Sequence, residues 1–144
     1  VEAQLTDQTP VKVTQARQAQ SDAAKRATKE MLFGKPSKPA TFIFTLDGER
    51  VTLQFRAVGA KAYDRMLTAC PPTVAQRAEG SVVDNDKFAP KLLAAVCIDP
   101  VLTEEEWGEI WGSDSWSQGE VWDLFTTANG LCRQGLDLTP TEAG

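Results

Sequence analysis

Apolar and polar residues alternate through "TFIFTLDGERVTLQF", on both sides of Asp47-Gly48. A period of two marks strands, and Asp-Gly suits a two-residue type I′ turn, whose central residues both need positive φ. Such a turn sets the register. Phe44 is expected to face Val51, Phe42 to face Leu53 and Ala40 to face Phe55. Thr45, Ile43 and Thr41 then meet Arg50, Thr52 and Gln54 on the other side. Phe42, Phe44, Val51, Leu53 and Phe55 thus share one apolar face. A lone hairpin is marginal in water, so helices are expected to cover that face.

The period then changes to that of a helix. Tyr63, Met66, Leu67 and Cys70 recur at i, i+3, i+4 and i+7, and Pro71-Pro72 ends that stripe. Thr73 with Gln76 predicts a capping box for a short helix that Gly80 closes. "DNDKFAPKLLAAVCID" carries Phe88, Leu92, Ala95 and Val96 along one side. Pro90 places the start of that helix near Lys87, because proline suits only the first turn, and Asp99-Pro100 ends it. Two further helices open with the same device. Thr103 with Glu106 and Ser117 with Glu120 form capping boxes, while Leu102 and Trp116 are placed to staple onto Trp107 and Val121. "GSDS" links them. One shows Trp107, Ile110 and Trp111; the other shows Val121, Leu124, Phe125, Ala128 and Cys132, with Trp122 beside that stripe.

Residues 1–39 differ from this body. They are rich in Gln, Ala, Lys and Thr, and have no apolar stripe before Ala27. A helix from about Gln15 to Phe33 would be marginal alone, and "GKPSKP" is a linker. The expected fold class is α+β: a basic, flexible or partly helical N-terminal arm and linker (1–39), then a domain over 40–137 in which four to five short α-helices pack on one β-hairpin. Residues 138–144 are expected to form a disordered tail.

Charge follows the same division. The arm carries seven Lys/Arg against four Asp/Glu, and the remainder eight against sixteen, which gives the net −5. An arm of +3 without aromatic residues before Phe33 is weak ground for nucleic-acid binding. No apolar run approaches a membrane span, and "VEAQLTDQTP" lacks a signal pattern, so a cytoplasmic protein is expected. Three scattered cysteines, Cys70, Cys97 and Cys132, argue against a disulfide framework or a zinc site.

Catalytic chemistry finds little here. With no histidine, Ser-His-Asp and Cys-His arrangements are excluded. No phosphate-cradling glycine loop is present. "DNDKFAPKL" lacks the sixth-position glycine of a calcium loop, and "DSWSQGEVWDLF" has that glycine without the oxygen ligands. Glu104, Glu105 and Glu106 read as a solvated first turn favoured by the helix dipole. No catalytic residue, cofactor or metal is expected.

All four tryptophans fall within 16 residues, Trp107 to Trp122, in the most acidic part of the chain. Core packing is the simpler account of any one of them. Together they exceed what one short helical hairpin is expected to bury, and tryptophan is enriched at binding hot spots. Candidate partner-binding residues are therefore Trp107, Ile110, Trp111, Trp122 and Phe125, with Trp122 foremost because it lies off its helix's apolar stripe. An acidic surround favours a basic amphipathic partner helix.

From about Pro39 to Asp137 the chain resembles the tail assembly chaperones of long-tailed, siphovirus-type bacteriophages and prophages of actinobacteria. The ordered series carries the resemblance: "TFIFTLDGERVTLQF", "AYDRML", "PPTVAQRAEG", "DNDKFAPKLLAAVCIDP" and "LTEEEWGEIWGSDSWSQGEVWDLFTTANGLC". The resemblance implies binding to the tape-measure protein in the host cytoplasm, keeping that long helical chain soluble while tail-tube subunits polymerise around it. It implies tail-tube protein and a frameshifted longer form of the chain itself as further partners, and leaves homo-oligomers open. The family supplies no catalytic residues to carry over, so the candidate site residues rest on the physical reading alone. The Gln/Ala/Lys-rich arm lies outside the resemblance. Rival expectations are a structural virion component of the tail tube or neck, and a DNA-binding regulator using the basic arm.

Removal of residues 1–34 is expected to leave a domain that unfolds cooperatively. Thermal denaturation followed by circular dichroism checks this, and loss of the transition would make the arm integral to the fold.

Overall fold

A computed structural model describes residues 24–136, 138 and 140. The chain divides into two compact units, Val1–Pro36 with Leu136–Gly144, and Ser37–Gly135. In the first, the described residues form one short helix, α1 (Lys29–Phe33). Thr28 caps it, its hydroxyl accepting from the Met31 N–H at 3.1 Å, and the Gly34 N–H closes it on the Glu30 carbonyl at 2.8 Å. Residues 24–28 are not helical, so the expected helix from Gln15 is shortened, while its part over 15–23 lies outside the described residues. Burial does not set this boundary, since Met31, Leu32 and Phe33 are themselves exposed; the Thr28 cap decides where the helix begins. The tail's expected disorder likewise falls mostly outside the described residues.

The second unit is α+β. Strands β1 (Ala40–Leu46) and β2 (Glu49–Phe55) pair in the register that the Asp-Gly turn dictates, from Ala40 opposite Phe55 to Leu46 opposite Glu49. Asp47 and Gly48 take φ of 52° and 82°, as a type I′ turn requires. Five helices follow in the same unit: α2 (Ala60–Ala69), α3 (Val74–Ala78), α4 (Asn85–Val96), α5 (Glu104–Trp111) and α6 (Gln118–Arg133). Between α4 and α5 the chain forms a third strand, β3 (Cys97–Asp99), antiparallel to β2, which makes a three-stranded sheet in the order β1-β2-β3. The pattern predicts only the hairpin. Three residues are too few to show alternation, and β3 exists because the end of α4 delivers it to the open edge of β2. The Arg56 N–H continues that contact to the Val96 carbonyl at 2.8 Å.

Helix α4 is the centre of the unit, packing against α2, α5, α6 and β3. Its Phe88, Ala89, Leu92, Leu93 and Val96 are all buried, together with Leu53, Phe55, Cys70, Trp107, Phe125 and Ala128. Two expectations change here. The helix begins at Asn85, not near Lys87, so Pro90 lies in the second turn, where its ring is buried and it offers no N–H to the Asp86 carbonyl. Its start is held by Asp84, a buried carboxylate that accepts from the Asp86 N–H at 3.2 Å and from Gln76 Nε2 at 2.9 Å. Gln76 is thereby shared: its Oε1 completes the α3 capping box by accepting from the Thr73 N–H at 2.8 Å. Ala95 is exposed, because the buried arc is wide and centred between Leu92 and Ala89, which leaves Ala95 on its margin.

The three capping boxes form as the spacing predicts, at Thr73/Gln76, Thr103/Glu106 and Ser117/Glu120. Each satisfies two orphan N–H groups in a chain of short helices, where caps weigh most. Leu92→Ala is expected to lower unfolding free energy by about 2–5 kcal/mol, and Ala95→Ser by less than about 0.5 kcal/mol; urea denaturation of both variants reads the difference.

Candidate functional site

Helix α6 places Val121, Phe125 and Ala128 inward and turns Trp122 outward. The Trp122 ring leans on Phe125 at 5.4 Å between centroids, yet 43% of the residue stays exposed. Trp111, at the last position of α5, meets the same Phe125 edge-on at 6.1 Å. Its indole N–H donates to Asp86 Oδ1 at 3.2 Å, which ties the end of α5 to the first turn of α4. Trp116 stands just before the N-cap Ser117 and is half-buried.

These three rings border an open cleft of about 310 Å³, with Asp86, Gln118 and Val121 completing its walls. A second concavity of about 250 Å³ lies between the apolar face of the hairpin and α6. Phe42, Phe44, Leu46 and Leu124 supply its apolar lining, and Glu120 and Asp123 its acidic side. Trp116 belongs to both. The acids make the surround negative, and the ring faces and hydrocarbon give it dispersion and hydrophobic attraction for an apolar ridge.

The five candidate residues therefore separate. Trp122 is exposed and Trp111 half-buried at the same cleft. Ile110 is partly buried against the core and lines neither concavity. Trp107 and Phe125 retain 3% and 5% of their exposure and cannot touch a partner. Trp107 sits on the inner face of α5, and Phe125 is the ring on which Phe88, Trp111 and Trp122 all lean. Both occupy the core-facing positions of their stripes, whereas Ile110 and Trp111, on the same stripe as Trp107, stay partly exposed.

Two features escaped the sequence reading. The spacing predicts only a stapling role for Trp116, although its place before the cap leaves the ring half-buried at both concavities. Phe42 and Phe44 were expected to be covered by helices, but only Leu53 and Phe55 are buried. The five helices, centred on α4, cover the root of the hairpin and not its tip. Two large aromatic residues close to the hairpin tip, Phe42 and Phe44, are the available signal; both stay half-buried.

Reactive chemistry is sparse among the described residues. Burial pushes the Cys70, Cys97 and Cys132 thiols up from their ordinary range, so at neutral pH they stay protonated and are weak nucleophiles. The Cys97 thiol donates to the Pro100 carbonyl at 3.1 Å. Among the described residues, no three His, Cys, Asp or Glu side chains group to hold a metal ion, and no helix is long and apolar enough to cross a membrane. Glu104 pairs with Lys91 at 3.3 Å on the surface. No family model, curated protein or solved structure matches this chain.

The indole N–H of Trp107 is buried and has no acceptor among the described residues. Trp107→Phe is therefore expected to cost much less than Trp107→Ala, which should remove about 3–5 kcal/mol of stability. Trp122→Ala should cost less than Trp107→Ala, about 1–3 kcal/mol, because 43% of that residue is already in water. Denaturant titration of the three variants checks the order; unfolding of the Trp122 variant would move that ring into the core.

Proposed function

We propose that this chain is a non-enzymatic holding protein of the tail assembly chaperone kind, acting in the host cytoplasm on a phage tape-measure protein. The tape-measure protein is a long helical chain whose apolar faces need cover before the tail tube encloses it. The Trp111–Trp116–Trp122 cleft accepts one apolar ridge of such a helix, spaced i, i+3, i+4 and i+7. Asp86 at its wall, with Glu120 and Asp123 on the adjoining side of α6, selects a helix whose polar flank is basic.

The observation that carries the reading is Trp122: a large ring braced by the core through Phe125 and left in water. A rigid, half-exposed aromatic residue loses little entropy on binding, which is what a reversible docking surface requires. The body's net negative charge keeps the protein soluble while apolar surface is exposed. The ordered resemblance over about 39–137 supports the same role. Tail-tube subunits and a frameshifted longer form of the chain are further partners under this reading.

Co-expression with the tape-measure protein of the same phage genome is the direct test. The expected result is a soluble tape-measure protein that co-purifies with this chain. Trp122→Ala should weaken capture roughly tenfold or more, as hot-spot truncations do, with an unchanged circular dichroism spectrum, and capture should fall as salt rises. A tape-measure protein that stays insoluble, with this chain instead found in mature particles, would favour a structural tail component.

A further inference from the structure

We infer that the free edge of β1 is a self-pairing surface, on which a second copy of this chain docks by antiparallel β1–β1 pairing about Ile43. The inference is independent of the proposed holding role.

Among the described residues, β1 is the terminal strand of its sheet, with β2 on one side only. In a type I′ hairpin the pair flanking the turn, Leu46 and Glu49, exchanges hydrogen bonds, and the bonding alternates from there. Ala40, Phe42, Phe44 and Leu46 thus direct their backbone groups to β2, while Thr41, Ile43 and Thr45 direct theirs outward. Natural edge strands are commonly blunted by lysine, proline, a bulge or a very short length. β1 runs seven residues, "ATFIFTL", with no charge and no proline, in unbroken register with β2. Ile43 is 58% exposed on it. Such an edge is expected to be covered in the working protein.

The sequence of the edge states what covers it. Thr41-Phe42-Ile43-Phe44-Thr45 reads the same in both directions. An antiparallel copy centred on Ile43 therefore sets Ile43 against the partner's Ile43, Thr41 against the partner's Thr45, and Phe42 against the partner's Phe44. This centring also lets Thr41, Ile43 and Thr45 satisfy all their outward N–H and C=O groups; a slip by two residues in either direction strands some of them. The Phe42–Phe44 pairs fall on the apolar face, at the hairpin cleft where both rings are half-buried, and cross-strand aromatic pairs are favourable there. Continued past the strand, the register sets Lys38 opposite the partner's Gly48, between the carboxylates of the partner's Asp47 and the partner's Glu49. Pro39, without an N–H, ends the pairing at Ala40. The product is a closed two-fold dimer with one six-stranded sheet.

Size-exclusion chromatography with light scattering on the full chain should give a dimer of about 31 kDa, twice the 15.7 kDa chain. Ile43→Lys should give a monomer with an unchanged circular dichroism spectrum, since it places two ammonium groups face to face. Register is read separately by cross-linking. In a hydrogen-bonded pair the Cα atoms lie about 5.5 Å apart, within the range of a disulfide. Ile43→Cys should therefore oxidise to a reducible covalent dimer, whereas Thr41→Cys should not, because the partner's Thr41 is about 13–14 Å away along the strand. The wild-type chain, whose cysteines are buried or half-buried, is the control. A wild-type monomer across the micromolar range would overturn the inference. So would a dimer that persists with Ile43→Lys, or one that Thr41→Cys links as readily as Ile43→Cys.

Discussion

The ring of Phe88 meets that of Phe125 edge-on, 5.8 Å between centroids, where α4 packs on α6. Tyr63 abuts Phe88 from α2 at 5.7 Å, and Trp111 and Trp122 abut Phe125 from the surface side. One chain of rings thus runs from α2 through the core to water. Tyr63 also reaches past it, its hydroxyl donating to Asn129 Oδ1 on α6. Helices of five to sixteen residues have little stability of their own. Their positions depend on these few large contacts and on the caps that set where each helix begins.

That dependence explains how a small domain holds aromatic surface in water without losing its shape. Phe125 is fixed from below by Phe88 and serves as the platform for Trp122 above. The exposed ring is therefore oriented before any partner arrives, and its ordering entropy has already been met by folding. The acids divide their work in the same economical way. Glu106 and Glu120 close capping boxes, whereas Asp86 holds the Trp111 indole at the edge of the cleft. An acidic, ring-lined concavity and an uncharged, palindromic strand edge are different kinds of surface. Under the proposed roles, the first takes a foreign amphipathic helix and the second a copy of the chain itself.

Much of this could be read along the chain because it depends on neighbours in sequence. The hairpin register follows from the two-residue Asp47-Gly48 turn, and the three capping boxes follow from a spacing of three. The inward set of α6 follows from its period. For the site, Trp122 was legible because it falls outside that periodic set, and for the same reason Phe125, a member of it, is buried.

What the local pattern could not decide are matters of competition for a finite interior. Whether Trp107 or Trp116 is covered, whether β3 adds to the sheet, and how far the helices reach over Phe42 and Phe44 depend on which surfaces occupy the limited room around α4. Pro90 illustrates the same point, since a proline unsuited to the second turn of an isolated helix is tolerated where its ring fills core space. Local chemistry determined the helices, their caps and the β1–β2 pairing. Apart from Trp122, tertiary packing decided which aromatic rings were left partly in water, because burial is set by the total area the five helices can cover and not by any residue's own preference.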